Sequence, residues 1–459
     1  MTFLEDLAAR RRFGMKPGLE TIRALCAALG DPQLKFKSIH VAGTNGKGAV
    51  CAILDAALRT APAKEEVKSK SEKVRRLRIG RYTSPHLVKL NERFFLDGAP
   101  VDDPTLERVA DRVETVIRGD RGHCAVDSCS TLRDTTFFEA LTAVAFLLYA
   151  EAKVDYAILE CGLGGRLDAT NVCDPALCVI TRIGLDHCDW LGDTVEKIAV
   201  ETAGIDKPGV PVVLGRNEPS VRAVIEARAK EVGAPFHYAP DLADESEIPA
   251  GFSLPGSFNR ENAITAIASL KVFAAKGAQR GAKKFLTGFG NVIWPGRFQR
   301  VGNFIVDGAH NPPAARALRE SLEGLGGLEG LDESIPSKIP KQLNLIFGAC
   351  GDKDVGEVLS ILAPVVKKGY AVKTNNPRSL SAEETAAKMR AVGIDAVACE
   401  SLKGAIRLSA LSTQHQARST LICGSLFLAG EALVELGAYP WGGTRFDVNE
   451  AHSTTGVLA

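Results

Sequence analysis

The sequence lacks the features that would mark a secreted, membrane-bound or redox protein. Its 459 residues contain no apolar run of about 18 residues, the minimum for crossing a membrane. The chain starts Met-Thr-Phe-Leu-Glu-Asp, which is not a signal-peptide pattern, and it carries no lipidation motif. The 11 cysteines are scattered without a C-x-x-C pair. We therefore expect a cytoplasmic protein with reduced thiols and no membrane partner.

The sequence also lacks a charge imbalance. Its formal net charge is +1, which gives no general attraction to nucleic acid, so any anion must be held by a local site. Hydrophobic residues make up 45% and charged residues 24%, as in soluble globular proteins. The length predicts two or three domains, and a monomer is the default expectation.

Short β-rich runs alternate with helical patterns through most of the chain. Several runs are apolar on both faces, as in a sheet covered by helices on both sides. The alternation predicts an α/β fold with mostly parallel sheets. The predicted strands are Phe36–Ala42, Leu77–Tyr82, Val154–Glu160, Ala176–Thr181, Val210–Leu214, Phe304–Asp307, Leu343–Gly348, Tyr370–Thr374 and Thr420–Gly424.

The α/β alternation restarts after Trp294–Arg300, which predicts a domain boundary there. The expected domains are residues 1–296 and 297–459, each long enough for its own core. Ala61–Arg75 has almost nothing to bury, so it is either a solvated insertion or a charged surface helix. Glu323–Lys341 is a second excursion, rich in Gly and Pro.

The clearest motif is Gly43-Thr44-Asn45-Gly46-Lys47-Gly48, between a predicted strand and a run with helical spacing. Glycines allow backbone N–H groups to surround a phosphate, and the following helix N-terminus and Lys47 add positive charge. The spacing departs from the standard G-x-x-x-x-G-K-[ST] pattern, whose first Gly would fall at Val41 and whose Ser/Thr would fall at Gly48. We interpret the motif as a phosphate-binding loop.

Three more polar residues lie at or just past strand ends. Ser84 follows one strand, Glu160 ends a strongly apolar strand, and His187 follows a third. The carboxyl ends of parallel strands share one edge of a sheet, so we expect these residues to lie near Lys47. Oxygen-rich ligands beside phosphates suit Mg²⁺ better than zinc. The alternatives are an ordinary turn at Ser84-Pro85, a structural ion pair for Glu160 and a structural role for His187.

The second half of the chain repeats this arrangement. Asp307-Gly-Ala-His310-Asn311 and Gly348–Asp354 each follow a predicted strand, and so do Pro377–Ser379 and Gly424–Phe427. Arg297 lies at the expected domain boundary, where a cationic side chain could reach a phosphate. Together these motifs predict a second group of functional residues.

These motifs, taken in order, resemble the folylpolyglutamate synthase/dihydrofolate synthase family of Mur-ligase-like enzymes. The resemblance runs from about Phe13 to Glu431. Besides the phosphate loop, it rests on Phe13–Leu19, Thr83–Leu87, Asn91–Arg93, Thr136–Glu139, the Gly-rich run from Glu160, Asp186–His187, Leu191–Thr194 and Asp307–Asn311.

The resemblance implies an N-terminal P-loop ATPase domain with a mostly parallel sheet and a smaller C-terminal Rossmann-like domain. It implies ATP-dependent joining of L-glutamate to dihydropteroate, to a tetrahydrofolate, or to both, through an acyl phosphate. By position, Ser84, Glu160 and His187 match the family's Mg²⁺ ligands. Other matches are the triphosphate cradle Gly46–Gly48, the adenine-side Asn262, the ATP contacts Arg297 and Asp307, and His310.

Two departures from the family pattern leave alternatives open. Ala49 stands where the family usually has Ser or Thr, and Thr202 stands where it usually has a lysine that is typically carbamylated. A smaller change is Phe258-Asn259 in place of His-Gln. Ala49 and Thr202 motivate a second hypothesis, a catalytically weakened homologue that binds nucleotide or pterin. A third is a Mur-type ligase for another acceptor.

Overall fold

The computed structural model describes residue 10 and residues 18–60, 76–119, 132–276, 282–324, 343–351, 353–413 and 419–442. The predicted insertion Ala61–Arg75 and most of the excursion Glu323–Lys341 lie outside these residues. The chain divides into two compact units. Unit 1 comprises Met1–Ser253, Glu261–Val292 and Asp447–Ala459, and unit 2 comprises Leu254–Arg260 and Ile293–Phe446. The division into 1–296 and 297–459 stays a prediction.

Unit 1 contains a sheet of eight strands within the described residues, in the order β4-β3-β2-β5-β1-β6-β7-β8. The strands from β2 to β8 in this order run parallel, while β3 pairs antiparallel with both β2 and β4. The strands are β1 Lys37–Ala42, β2 Ile79–Tyr82, β3 Phe94–Leu96, β4 Ala99–Pro100, β5 Tyr156–Glu160, β6 Pro175–Ile180, β7 Val212–Leu214 and β8 Phe236–Tyr238.

Helices pack on this sheet through apolar faces. The helix that follows the phosphate loop is buried from Gly48 to Leu58, as expected for an element covered on all sides. The described helices up to residue 276 are α1 Glu20–Ala28, α2 Lys47–Thr60, α3 Asp103–Arg118, α4 Phe137–Ala152, α5 Cys188–Leu191, α6 Val195–Thr202, α7 Pro219–Val232, α8 Ala239–Leu242 and α9 Ser257–Lys276.

A buried ion pair connects α2 to β2. Arg81 Nη1 lies 3.3 Å from Asp55 Oδ2, and Arg59 Nε donates to Asp55 Oδ1 at 2.9 Å. The Arg81 guanidinium also lies 3.8 Å from the centre of the Phe95 ring. Burial lowers the pKa of Arg81, and the neighbouring Asp55 opposes that shift. The pair fixes the helix that begins at the phosphate loop relative to the strand that leads to Ser84.

Unit 2 is a smaller α/β unit with a sheet in the order β13-β12-β11-β14-β10-β9. Its pairs are parallel except β9 with β10. The strands are β9 Gln299–Val301, β10 Phe304–Val306, β11 Leu343–Phe347, β12 Val366–Ala371, β13 Asp395–Ala398 and β14 Thr420–Cys423. The helices are α10 Pro312–Gly324, α11 Val355–Leu362, α12 Ala382–Ala391, α13 Leu402–Thr413 and α14 Leu426–Glu435.

The predicted α/β fold with mostly parallel sheets is confirmed. One strand was placed wrongly: β12 spans Val366–Ala371 rather than Tyr370–Thr374. Lys367 is exposed and Lys368 is half-buried, so the start of this strand does not have the apolar pattern of a covered strand. Among the described residues, none of the helices is long and apolar enough to span a membrane.

A buried carboxylate lies at the end of the 3₁₀ turn Ala203–Ile205, directly after α6. Asp206 is 4% exposed, and neither of its carboxylate oxygens has a hydrogen-bond partner within the described part of the chain. Burial raises its pKa to about 7, even though the positive charges of Arg228 and Lys207 act in the opposite direction. This group therefore makes the stability of unit 1 depend on pH.

We expect Asp206→Asn to stabilise the protein above neutral pH. The pKa of Asp206 is about 7 in the folded protein and about 3.9 in an unfolded chain. Between these pH values the folded protein holds a proton that the unfolded chain has released, so the free energy of unfolding falls as the pH rises. The Tm of the variant should exceed that of the wild type at pH 8, and the difference should shrink towards pH 4.

The matched control is Asp395→Asn, which changes an exposed aspartate of unit 2. Thermal unfolding of the three proteins from pH 4 to 8 provides the measurement. A Tm difference for Asp206→Asn that stays constant with pH would show that Asp206 is not the titrating group.

Candidate active site

Four neighbouring strands of the unit 1 sheet lead into the motifs predicted from the sequence. The strands β2, β5, β1 and β6 are adjacent and parallel. Ser84 follows β2, Glu160 ends β5, Gly43–Gly48 follows β1, and His187 lies in the segment after β6. The structure therefore places all four at the carboxyl edge of one sheet, where open α/β folds bind ligands.

Two positions of the phosphate loop require glycine, because of their backbone conformation and because a side chain would not fit there. Gly43 has φ +134° and Gly46 has φ +90°, values that residues with side chains rarely adopt. A Cβ atom on Gly43 would overlap the Thr181 hydroxyl, and one on Gly46 would overlap the side-chain amide of Asn262. The predicted adenine-side residue Asn262 thus lies against the phosphate loop.

The segment Thr181–Gly184, directly after β6, holds the phosphate loop in place. The N–H groups of Thr44 and Asn45 both donate to the Arg182 carbonyl, at 2.9 and 3.1 Å. The Thr181 hydroxyl donates to the Asn45 carbonyl at 2.8 Å. The Thr44 hydroxyl donates to the Gly184 carbonyl at 3.0 Å and accepts from the Gly184 N–H at 3.1 Å. Since its only proton is used here, this hydroxyl does not replace the phosphate donor absent at Ala49.

Lys47 is the first residue of α2, where the helix N-terminus offers backbone N–H groups and partial positive charge. Its ammonium donates to the carbonyls of Gly43 at 2.9 Å and Thr44 at 3.1 Å. An ammonium has three donors, so Lys47 can hold the loop and still donate to an anion. Ala49 is buried in the first turn of the same helix and adds no polar group.

Ser84 and Glu160 lie next to each other. The Ser84 N–H donates to Glu160 Oε2 at 3.0 Å, and Glu160 is only 4% exposed. The peptide bond between Ser84 and Pro85 is cis. A buried carboxylate is costly unless it is paired, hydrogen-bonded or bound to a metal. The pair brings a hydroxyl and a carboxylate to the sheet edge, a donor set that fits a hard cation such as Mg²⁺.

His187 immediately precedes α5 and has a left-handed backbone with φ 52°. Its N–H donates to Asp186 Oδ1 at 2.9 Å, and its Nε2 lies 3.9 Å from the same oxygen. The described residues contain no group of three or more His, Cys, Asp or Glu side chains arranged to hold a metal by themselves. A cation at this edge would therefore need phosphate oxygens or water as further ligands, which is usual for Mg²⁺.

A buried 3₁₀ turn, Leu90–Arg93, fixes the loop that carries Ser84. The Glu92 carboxylate accepts hydrogen bonds from the N–H groups of Leu87, Val88 and Lys89, at 2.8, 2.8 and 2.7 Å. Arg93 Nε donates to His86 Nδ1 at 2.9 Å, and both side chains are buried. The Thr83 N–H donates to the Arg93 carbonyl at 3.1 Å. The loop is thus tied to the turn at both ends.

In unit 2, the predicted residues Arg297, Asp307 and His310 lie within one loop system. The Asp307 carboxylate accepts from the Phe298 and Ala309 N–H groups, both at 2.7 Å. Burial raises its pKa, and the Arg297 charge opposes this. Arg297 Nη1 donates to the Gly296 carbonyl at 3.0 Å. Both Asp307 oxygens thus support the local backbone.

The hydrogen-bond partner of one His310 ring nitrogen shows which nitrogen carries the proton. Its Nδ1 lies 2.8 Å from the Gly308 carbonyl oxygen, which can only accept, so Nδ1 carries a proton. In the neutral ring Nε2 is then the acceptor nitrogen. Such a side chain can accept a proton or donate to a phosphate, depending on its protonation state.

Several residues that shape the site were not singled out individually from the sequence. Thr181 and Asn217 hold the segment behind the phosphate loop, and Glu92 holds the loop of Ser84. The sequence marks Glu92 only as part of the motif Asn91–Arg93. The available signal was an acidic and a basic residue side by side, directly before the apolar residues Phe94 and Phe95. For Asn217 the only signal was a polar residue shortly after a predicted strand.

Known proteins resemble the chain over most of its length. Residues 296–426 match the family described as "Mur ligase, glutamate ligase domain". The dihydrofolate synthase/folylpolyglutamate synthase of Bacillus subtilis is 32% identical over 400 residues, which cover 82% of this chain and 85% of the relative.

Solved structures agree with this match. The folylpolyglutamate synthase of Mycobacterium tuberculosis complexed with ADP and AMPPCP superposes with a TM-score of 0.80 at 30% identity, covering 95% of this chain and 99% of that one. The bifunctional folylpolyglutamate synthase/dihydrofolate synthase of Yersinia pestis complexed with AMPPNP and a Mn ion gives 0.73 at 29% identity, covering 92% and 94%.

The resemblance stated from the motifs is therefore confirmed. Because a relative above 30% identity is covered over most of its length, and because the solved structures share the fold of both units, the assignment does not depend on any single motif. The chain belongs to the dihydrofolate synthase/folylpolyglutamate synthase family, whose members are ATP-dependent ligases of the Mur-ligase type.

Proposed function

We propose that this chain uses ATP to join L-glutamate to dihydropteroate, to a tetrahydrofolate, or to both. The observation that carries the proposal is the arrangement of a glycine loop, Lys47, Ser84 and Glu160 at one sheet edge in a chain of this family. The names of the B. subtilis and Y. pestis relatives cover both glutamate additions. The nucleotides in the solved structures support ATP as the energy source.

In the proposed reaction, a carboxylate oxygen of the folate-side substrate attacks the γ-phosphorus of ATP and ADP leaves. The glutamate amine then attacks the carbonyl carbon of the acyl phosphate, loses a proton, and phosphate departs. Phosphoryl transfer depends mainly on positioning and charge stabilisation. The N–H groups at the start of α2, together with Lys47, are suited to hold the β- and γ-phosphates.

We assign Ser84, Glu160 and His187 to a divalent cation, and Asn262, Arg297 and Asp307 to the nucleotide. Bound Mg²⁺ would neutralise part of the phosphate charge. The adjacent Ser84 and Glu160 and the Mn ion in the Y. pestis structure support the metal assignment. For Asp307 the support is indirect, because its oxygens accept N–H groups of the loop that carries Arg297. His310 is a candidate for proton transfer, since Nε2 is its acceptor nitrogen.

A catalytically weakened homologue is the second candidate, and two observations favour it. The Thr44 hydroxyl donates its proton to the Gly184 carbonyl, so it does not supply the hydrogen-bond donor absent at Ala49. The Thr202 hydroxyl is buried and donates to the Ile198 carbonyl at 2.8 Å. Thr202 therefore offers no group comparable to the lysine that the family usually has there.

The test of the proposed function is ADP release from ATP in the presence of glutamate and either dihydropteroate or tetrahydrofolate. Our proposal expects stimulation that requires glutamate together with at least one of the two acceptors. Stimulation by both would assign both additions. ADP binding without stimulation by either acceptor would instead support the weakened homologue.

Lys47→Ala should reduce ATP turnover by about 10²–10³-fold or more, the usual cost of removing one group that stabilises charge in the transition state. Steady-state kinetics at saturating substrates provides the measurement. Lys230→Ala, which removes an exposed lysine from α7, is the control and should keep wild-type activity. Normal turnover in Lys47→Ala would disprove the role of this loop.

Glu160→Gln should raise the Mg²⁺ concentration needed for half-maximal activity by at least about tenfold, because the amide retains the shape but loses the charge that attracts a cation. A Mg²⁺ titration at fixed ATP measures this. Glu226→Gln, a matched change on an exposed glutamate of α7, should leave the titration unchanged. An unaltered titration for Glu160→Gln would argue against metal binding there.

A further inference from the structure

Asn217 lies in the loop that connects β7 to α7, and its side chain makes three hydrogen bonds to backbone groups. Its Oδ1 accepts from the Ile183 N–H at 2.8 Å. Its Nδ2 donates to the Thr181 carbonyl at 3.0 Å and to the Gly215 carbonyl at 3.1 Å. The amide oxygen and both amide protons are therefore used. Because of these three bonds, the side chain fixes the distance between the loop after β7 and the segment after β6.

These bonds continue the sheet beyond its last regular pair. β6 ends at Ile180 and β7 ends at Leu214, which are paired in parallel. The Gly215 N–H still donates to the Ile180 carbonyl at 2.8 Å. Past this point the Asn217 side-chain amide bonds to the backbone of Thr181 and Ile183. It takes the place of the backbone hydrogen bonds that would join two paired strands. It thereby fixes the path of the chain that leaves β6.

The chain leaving β6 is the same segment that holds the phosphate loop. Thr181 donates to the Asn45 carbonyl, Arg182 accepts two N–H groups of the loop, and Gly184 binds the Thr44 hydroxyl. Asn217 bonds to the backbone of Thr181 and Ile183. Along the chain these two residues alternate with Arg182 and Gly184, which bond to the phosphate loop. A shift of this segment would therefore move Thr44 and Asn45.

We propose that Asn217 is a positioning residue for nucleotide binding, which acts through Thr181–Gly184 on the phosphate loop. This inference rests on the proposed function, because it assumes that the loop binds the phosphates of ATP. Asn217 does not need to touch the nucleotide. Its amide keeps the N–H groups of the loop at the spacing that phosphate oxygens require, so its loss lowers nucleotide affinity rather than the rate of the chemical step.

Substitutions at Asn217 separate the accepting part of the amide from the donating part. Asn217→Ala leaves the Ile183 N–H and the Thr181 carbonyl without this partner. Both bonds are partly buried, and an unsatisfied polar group in such a place is costly. Asn217→Asp keeps an acceptor for Ile183 but turns an anionic oxygen towards the carbonyls of Thr181 and Gly215. Asn217→Gln keeps the whole amide on a side chain that is one methylene longer.

The experiment measures the Kd of ADP with MgCl₂ by titration calorimetry, together with the KM for ATP and kcat, well below the Tm of each variant. For Asn217→Ala we expect the Kd and KM to rise by about tenfold, the factor that corresponds to one unsatisfied backbone group. Asn217→Asp should lose at least as much affinity and Asn217→Gln clearly less. The kcat at saturating ATP should stay within about threefold of wild type, as loss of ground-state positioning predicts.

The control is Asn344→Ala in β11 of unit 2. Asn344 is 1% exposed and its Nδ2 donates to the Ser409 carbonyl at 3.3 Å, so the variant loses an amide that is more deeply buried than the half-buried Asn217. It should lower the Tm without changing the Kd of ADP. If Asn217→Ala does not yield folded protein, Asn217→Asp against Asn217→Gln decides the same point.

The outcomes separate the inference from the function on which it rests. A wild-type protein that fails to bind ADP would overturn the proposed function itself. Wild-type binding with an unchanged Kd in Asn217→Ala and Asn217→Asp would overturn only the role of Asn217. An equal loss of affinity in Asn344→Ala, or a fall in kcat at constant Kd, would also overturn it, since either result describes a general loss of stability or a catalytic defect.

Discussion

The site depends on hydrogen bonds between the phosphate loop and the chain that leaves the next strand of the sheet. The Arg182 carbonyl accepts two successive N–H groups of the loop, and the hydroxyls of Thr44 and Thr181 bridge the two segments in both directions. A glycine-rich loop has few conformational limits of its own. Its shape is therefore imposed by its neighbour, and the positive φ of Gly43 and Gly46 is the backbone form that this contact requires.

The sheet order explains why the remaining site residues lie nearby. β1 carries the phosphate loop and lies between β5, which ends at Glu160, and β6, which continues to Thr181. β2 lies on the other side of β5 and brings Ser84 to the Glu160 carboxylate. A carboxylate buried at such a sheet edge costs stability unless a ligand or a donor compensates for it. The Ser84 N–H is one such donor, and metal binding by Glu160 stays a prediction.

Much of the site can be predicted from the sequence, because it rests on a local motif and on a general rule for parallel sheets. Glycines after an apolar strand and before a helical pattern predict a strand-turn-helix, and the α/β alternation predicts that strand ends share an edge. The contributions of Asn217 and Glu92 do not follow, because they depend on which backbone groups lie opposite each side chain. Asn217 bonds to Ile183, 34 residues earlier in the chain, and sequence patterns carry no information about that contact.

The central claim is that the loop between β1 and α2 holds the triphosphate and that Ser84 and Glu160 face the cation beside it. The most direct measurement is a crystal structure of this protein with AMPPCP and Mn²⁺, in which anomalous scattering locates the metal. Our account predicts phosphate oxygens at the N–H groups of Gly46–Gly48 and a metal peak within bonding distance of a Glu160 oxygen. A nucleotide bound away from this loop, or a metal without a contact to Glu160, would contradict it.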